Sequence, residues 1–249
     1  CREDQRILLM KRRIMKCIAE GGRKILGLLY PHTCPLCGKT TAEEICGACA
    51  DKLLFIAEPR CMKCGKPIRS EYCYDCAHRQ HEYERGYGMW VHQGDVQASV
   101  YRFKYQNRRI YSEFYAKMLA EQYGSAVRRW KICLIIPIPL YRKRRRQRGY
   151  NQSELVAKKL GKILDIPVDS KNLRRVRNTN PQKKMNARGR RTNLRNAFRV
   201  RDGFAPVQSV LLIDDIYTTG NTIDCAAREL KKAGVQKVYF LTISIGQGY

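Results

Sequence analysis

The residues best suited to chemistry lie near the end of the sequence, where Asp214-Asp215 stands two residues before Thr218-Thr219-Gly220-Asn221-Thr222. Four apolar residues, Val210 to Ile213, lead into the acids and predict a buried strand that delivers them to its carboxyl end. In open α/β sheets that end is where ligands sit. The Thr- and Gly-rich turn then opens a helix, whose first backbone N–H groups and positive dipole end suit a phosphate. Two adjacent carboxylates would repel that phosphate, but they suit the hydroxyls of a sugar or a hydrated Mg²⁺. One turn thus offers places for a sugar, a phosphate and a metal. The competing reading, the acidic strand end of a P-loop nucleotide hydrolase, needs a G-x4-G-K-[S/T] loop. Gly38-Lys39-Thr40 supplies its tail, but Thr33 occupies the first glycine position and cysteines surround it, so that reading fails.

A second chemistry is written in the cysteines. Of twelve, eight fall between Cys34 and Cys76 as two copies of one pattern. Cys34-x2-Cys37, eight residues and Cys46-x2-Cys49 recurs as Cys61-x2-Cys64, eight residues and Cys73-x2-Cys76, every cysteine displaced by 27 residues. Each first knuckle continues into Gly38-Lys39 or Gly65-Lys66, the glycine suiting a tight turn that points backbone N–H groups at thiolate sulfur. Four soft thiolates fill the tetrahedral shell of Zn²⁺ at about 2.3 Å each and leave no open position, so one or two structural zinc ions are expected. The repeat favours two sequential fours, although an interleaved pairing uses the same residues. His78 or His81 could replace a ligand, and iron–sulfur ligation is a minor alternative. Cys1, Cys17, Cys133 and Cys225 are read as free thiols. Thiols kept for metal and not for disulfides place the chain in the reducing cytoplasm.

Elements must position these groups. Arg85 to His92 reads as a strand, and Val96 to Tyr105 and Ile110 to Tyr123 read as helices around the turn Gln106-Asn107-Arg108. Ile132 to Ile136 is a short apolar run stopped by Pro137-Ile138-Pro139, the mark of a buried parallel strand ending in a rigid loop. A helix follows over Asn151 to Leu164, with Asn151 or Ser153 as its cap, and then a polar loop from Asn172 to Arg190. Strand Val210 to Ile213, helix Thr222 to Ala233, Gly234 as its stop and strand Val238 to Ile243 complete the pattern. Strands alternating with helices predict an open, mostly parallel α/β sheet. The expected organisation is a basic, partly helical segment over 1–30, a tandem zinc module over 31–80 and the α/β domain over 81–249. The first 30 residues lack the apolar core and small-residue cleavage site of a signal peptide. No membrane span is expected, because the longest apolar run, Ile132 to Leu140, has nine residues and two prolines, where spanning takes about 20.

Charge is extreme. The 249 residues carry a formal +27, and 22 Lys and Arg against 4 Asp and Glu between Lys131 and Ala205 supply +18 of it. Such a surface repels itself unless paired with a polyanion, which points to nucleic acid or an anionic membrane. Arg142, Lys143, Arg144, Arg145, Arg146 and Arg148 follow the proline loop directly. A second band includes Arg174, Arg175, Arg177, Lys183, Lys184, Arg188, Arg190, Arg191, Arg195 and Arg199. A pyrophosphate needs only a few of these cations. The surplus suits a nucleic-acid backbone, with Tyr101, Tyr105, Tyr141 or Tyr150 available to stack bases.

Val210 to Thr222 resembles the phosphoribosyl-pyrophosphate (PRPP) signature of the type I phosphoribosyltransferases. That resemblance implies a five-stranded parallel sheet with helices on both faces, binding PRPP with Mg²⁺. Asp214 and Asp215 would then hold the ribose hydroxyls, while Thr218, Thr219, Gly220, Asn221 and Thr222 cradle the 5′-phosphate. Pro137-Ile138-Pro139-Leu140 resembles the loop that meets the pyrophosphate. The whole arrangement, zinc module first, resembles the ComF family of competence-associated proteins, which shares Lys104-Tyr105, Arg148-Gly149-Tyr150-Asn151-Gln152, Arg177-Asn178-Thr179 and Gln182. The family implies handling of single-stranded DNA during natural transformation, beside a helicase partner. Two alternatives stand: a metabolic phosphoribosyltransferase acting on a free base, and a DNA-binding adaptor with a regulatory PRPP pocket. Purine-salvage enzymes place an acid where this chain has Thr218, and a hydroxyl is a poor base at neutral pH. Orotate-type relatives also lack that acid, so phosphoribosyl transfer, a glycosyl transfer, stays open and its acceptor unnamed.

Overall fold

A computed structural model describes residues 32–53, 55–177 and 196–246. The chain forms two compact units, residues 1–53 and 54–249, so the two cysteine repeats fall in different units.

In the first unit, β1 (His32–Thr33) pairs antiparallel with β2 (Thr40–Thr41), and α1 (Gly47–Ala50) carries the second knuckle. Between the strands the Cys34 N–H donates to Lys39 O and the Gly38 N–H to Cys34 O, with Gly38 at φ 80°. The second unit repeats this turn bond for bond: Cys61 N–H to Lys66 O, Gly65 N–H to Cys61 O and Gly65 at φ 74°. Left-handed backbone is what the glycine expected after each knuckle supplies. The short helix α2 (Tyr74–Ala77) closes the second copy.

A sheet follows, built from β3 (Arg85–Val91), β4 (Leu134–Pro137), β7 (Ser209–Tyr217) and β8 (Lys237–Ile245). Its order is β3-β8-β7-β4 and every pairing is parallel. The fifth strand implied by the family resemblance is reduced to one parallel bridge, Ile135 to Val168, beyond β4. Pro167, which has no N–H to donate, keeps that edge short.

Side chains alternate across the sheet. Val210 and Leu212 of β7, Ile136 of β4 and Phe240 of β8 join one apolar cluster, with Ile223, Ala226 and Leu230 of α7 (Asn221–Lys232). Their neighbours Ile135, Leu211, Ile213 and Leu241 are equally buried but point to the opposite face. There α6 (Gln152–Leu164) lies on β4 and β7 and against α4 (Tyr111–Arg129). Helices cover both faces, as expected. α3 (Gly94–Tyr105) precedes α4, and a short helix α5 (Arg142–Arg148) precedes α6.

Three departures from the sequence reading have physical causes. α4 runs six residues past Tyr123 because Ala126 and Val127 continue its buried stripe beyond Gly124-Ser125. The arginine run is helical, α5, although its seven residues present no apolar face to read. The segment read as a loop after Asn172 begins with β5 (Leu173–Arg175), paired antiparallel with β6 (Phe198–Val200). Strands of three residues with one or two arginines carry no legible alternation.

The second cysteine cluster belongs to the sheet's own core. Cys61, Cys64 and Cys73 pack in the cluster that holds Tyr83, Val210 and Phe240. The Gly86 N–H of β3 donates to Lys63 O, tying the knuckle to the edge strand. Cys61→Ser is therefore expected to lower the main unfolding transition by roughly 10 °C, the result of losing about 3 kcal/mol or more. Cys34→Ser, in the other unit, should leave that transition in place. Differential scanning calorimetry of the two variants tests the asymmetry.

Candidate functional site

The acid pair lies inside β7, which runs four residues beyond the expected strand end. Asp214 Oδ1 accepts from Ser153 Oγ at 3.1 Å and from the Asp215 N–H at 2.9 Å. Ser153, on the first turn of α6, thus serves the acid and not the helix cap. Asp215 Oδ1 lies 2.8 Å from Lys104 Nζ at the end of α3, with both side chains 14% exposed. Burial first, and then the neighbouring Asp215 charge, push the Asp214 carboxyl up to about 7, against the pull of the Asp215 N–H, Lys104 and Ser153. Hard carboxylate oxygens crowded in this way fit a divalent cation with a sugar diol, whose charge would relieve their repulsion.

Beyond the acids, Thr218 is exposed, Thr219 half-buried, and Gly220 caps α7 with φ 76°. A Cβ on Gly220 would lie 2.6 Å from the Tyr217 hydroxyl, so both conformation and space demand glycine. Tyr217 is fixed in turn. Its hydroxyl meets that of Tyr83 at 2.7 Å and its ring stacks on Phe240 with centroids 4.8 Å apart. Asn221 is buried, and its Oδ1 accepts from Arg79 Nη1 at 2.5 Å, so its carboxamide holds the turn from behind.

Arg79 is the residue that sequence reasoning missed. Leaving the second knuckle, it also donates to Thr219 O at 3.3 Å and places Nη2 2.8 Å from Asp224 Oδ2. His81 Nδ1 meets the same oxygen at 2.8 Å and the Glu82 N–H meets Oδ1 at 3.0 Å. His81 is thus engaged by α7 and is no zinc ligand; His78 bonds Tyr74 O. The only sequence signal was an Arg and a His shortly after Cys76, the last cysteine of the repeat.

The proline loop lies across from this turn. Ile138 is in the core, its N–H given to Ile213 O and its carbonyl taken by Asn151 Nδ2, so its backbone is already committed. Pro137 is buried as well, and only Pro139 and Leu140 are partly open. Asn151 occupies the cap position of α6, yet its amide braces this loop instead of the helix. Among the described residues, Asn151 Oδ1 and both polar atoms of the fully buried Gln152 have no hydrogen-bond partner. These unmet groups lie directly before Ser153: the two amide oxygens call for donors, such as hydroxyls, and Gln152 Nε2 for an acceptor.

Each cysteine four is sequential, which settles the pairing: Cys34, Cys37, Cys46 and Cys49 form one cluster, Cys61, Cys64, Cys73 and Cys76 the other. Within each, all Sγ atoms lie within 4.8 Å of one another, and Cys37–Cys46 and Cys64–Cys73 approach to 3.6 Å. Four sulfurs about 2.3 Å from one ion stand about 3.8 Å apart, so the donor sets fit structural zinc. Lys66, buried, is paired with Asp75 at 2.8 Å.

Of the basic residues, Arg142, Lys143, Arg145 and Arg146 are exposed on α5, Arg144 and Arg148 are half-buried, and Arg145 pairs with Glu154 at 3.2 Å. Arg188, Arg190 and Arg191 lie outside the described residues, as do Asn178, Thr179 and Gln182. Tyr150 is buried and bonds Phe103 O, so it cannot stack on a base. Tyr101 and Tyr105 are exposed.

The sheet and the cysteine clusters define an all-parallel α/β unit preceded by zinc-ribbon knuckles. Residues 25–77 match the double zinc ribbon domain family. The chain is similar to competence protein F of Haemophilus influenzae, 38% identical over 144 residues that cover 56% of this chain and 63% of that protein. DNA utilization protein YhgH of Salmonella typhi is 34% identical over 144 residues, covering 56% and 62%. The matches thus span under two thirds of either relative. A purine phosphoribosyltransferase structure from Pyrococcus horikoshii aligns over 54% of this chain and 88% of that one, at 16% identity and a TM-score of 0.33, too low to argue from.

Two outcomes follow from this geometry. Asp214 stays protonated up to about pH 7 in the native state, whereas its ordinary value is 3.8. Its stabilising share is complete below the ordinary value and is lost as pH rises through about 7. Chemical denaturation across that window should show stability declining by at most about 1.4 kcal/mol per pH unit, and Asp214→Asn should flatten the decline. Arg79→Ala should raise amide hydrogen exchange at Thr219 to Thr222 by about tenfold while the exchange of β7 is unchanged, read by mass spectrometry.

Proposed function

We propose that this chain binds PRPP with Mg²⁺ at the Asp214–Thr222 turn and handles single-stranded DNA on the cytoplasmic side during competence. The carrying observation is the acid pair within one strand of a Gly220-capped helix, held by Lys104 and Ser153. A ribose diol and Mg²⁺ would be held by Asp214 and Asp215, and the 5′-phosphate by the backbone of Thr218 to Thr222. When bound, Mg²⁺ neutralises the pyrophosphate and the carboxylates together. Lys104 pairs with Asp215 and orients it, while Arg79 keeps the phosphate turn in shape from its far side. Pro139 and Leu140 offer the pyrophosphate an open edge, and the exposed cations of α5 stand directly after them in sequence.

DNA handling is supported by the charge of +27, by the exposed α5 cations and by relatives named for competence and DNA utilization. Among the described residues no helix is long and apolar enough to cross a membrane. Thr218 is exposed and offers only a hydroxyl, which favours binding, or transfer to an acceptor that brings its own base, over purine salvage.

Isothermal titration with PRPP should give binding that requires Mg²⁺, strengthens as pH rises through 7, and weakens at least tenfold in Asp214→Asn/Asp215→Asn. Wild-type protein that gives no Mg²⁺-dependent heat overturns the pocket. Single-strand affinity measured against salt should fall with a slope of about −0.7 per phosphate neutralised; a flat line overturns the DNA reading.

A further inference from the structure

We propose that Tyr101, Tyr105 and Arg148 form a base-stacking platform that holds a nucleobase of a single-stranded nucleic acid beside the acid pair. The inference rests on the DNA-handling reading and names the residues that would carry its non-electrostatic part.

The two tyrosines stand four residues apart on α3, hence on one ridge of the helix, with ring centroids 4.9 Å apart. They are 57% and 61% exposed, while Phe103 between them is wholly buried. Two aromatic rings more than half exposed on a helix whose other face is packed are, among the described residues, apolar surface left open to water. The Arg148 guanidinium, at the end of α5, sits 4.8 Å from the Tyr105 centroid and so fixes the ring through one of its faces. Lys104, next in sequence to Tyr105, turns the other way to hold Asp215. The platform is thus one residue removed from the acid pair.

Charge selects the occupant. No Asp or Glu occurs from Val96 to Ser112 or from Tyr141 to Ser153, the two segments that build this rim, whereas Arg108, Arg109 and the α5 cations lie within them. Arg109 itself stacks on Tyr150, 4.9 Å from its centroid, and joins the same side. An aromatic pair on segments that carry cations and no acid fits a polyanion that can offer flat π-surfaces. A duplex hides those surfaces inside its stack, whereas a single strand exposes them. Stacking is tolerant of sequence, which suits a protein that must accept any incoming strand.

The test uses the full chain and three fluorescent 20-mers: oligo-dT, an abasic strand with the same phosphates, and a duplex. Tyr105→Ala is expected to weaken oligo-dT about tenfold at every salt concentration with an unchanged salt slope. The abasic strand should bind wild type and variant alike, and Tyr105→Phe should keep wild-type affinity. Tyr101→Ala provides a second variant at a site equally exposed, with unfolding temperature and zinc content recorded for each. The platform is overturned if Tyr105→Ala and Tyr101→Ala bind oligo-dT like wild type, as expected of a patch that docks a protein. Equal losses on the abasic strand, or preference of wild type for duplex, overturn it too. Failure of the DNA reading itself looks different: wild type then binds none of the three with a salt slope.

Discussion

The packing of the Cys61–Cys76 knuckles into the same apolar cluster as Tyr83, Val210 and Phe240 fixes where the chain can go next. A four-thiolate cluster inside a hydrophobic core is tolerable only if its charge is held by a metal. Once there, the knuckle must exit along the sheet's face, and Arg79, His81 and Glu82 are brought to Asp224. That carboxylate is 2% exposed and would be costly if unpaired. It is fully engaged, by two side chains and a backbone N–H. Because Asp224 lies on the first turn of α7, the zinc ribbon and the phosphate turn share one set of bonds.

The acid pair imposes the opposite constraint. Two carboxylates on adjacent positions of a buried strand repel, and burial penalises both. The fold answers with a division of labour. Asp214 is left near neutrality and hydrogen-bonded by Ser153, while Asp215 is given a partner cation in Lys104. Each of these supports comes from a different helix, α6 and α3. On the proposed reading, an arriving Mg²⁺ and ribose would draw on a charge deficit that the protein has only half compensated.

Much of this was legible in the sequence. Continuous apolar runs such as Val210 to Ile213 announce buried parallel strands, and the 27-residue cysteine repeat announces two equivalent turns, reproduced in the structure down to their backbone bonds. What was hidden is of two kinds. Long-range partners leave no periodic trace: nothing local says that Lys104 meets Asp215 or that Arg79 meets Asn221, more than a hundred residues away. Short polar elements such as α5 and β5 lack the apolar stripe or alternation on which pattern reading depends. Tyr150 shows the complementary error, because a tyrosine in a basic run looks available for stacking until its hydroxyl is found bonded inside the core.

The end of α3 shows how one element can serve two chemistries. Helical geometry turns Lys104 toward the sheet's carboxyl edge and Tyr101 and Tyr105 away from it, so a single-residue step separates the acid pair from the exposed rings. A pyrophosphate presents a handful of charges, whereas the stretch from Lys131 to Ala205 holds 22 cations. A small ligand in the pocket cannot account for so many, and a polyanion lying only on the remote surface would not need α5 to begin directly after the proline loop. One arginine of the cationic helix, Arg148, braces the aromatic rim. The two ligands proposed here, a phosphorylated sugar and a single strand, would then meet across Lys104, and binding of either would be felt by the other through that ion pair.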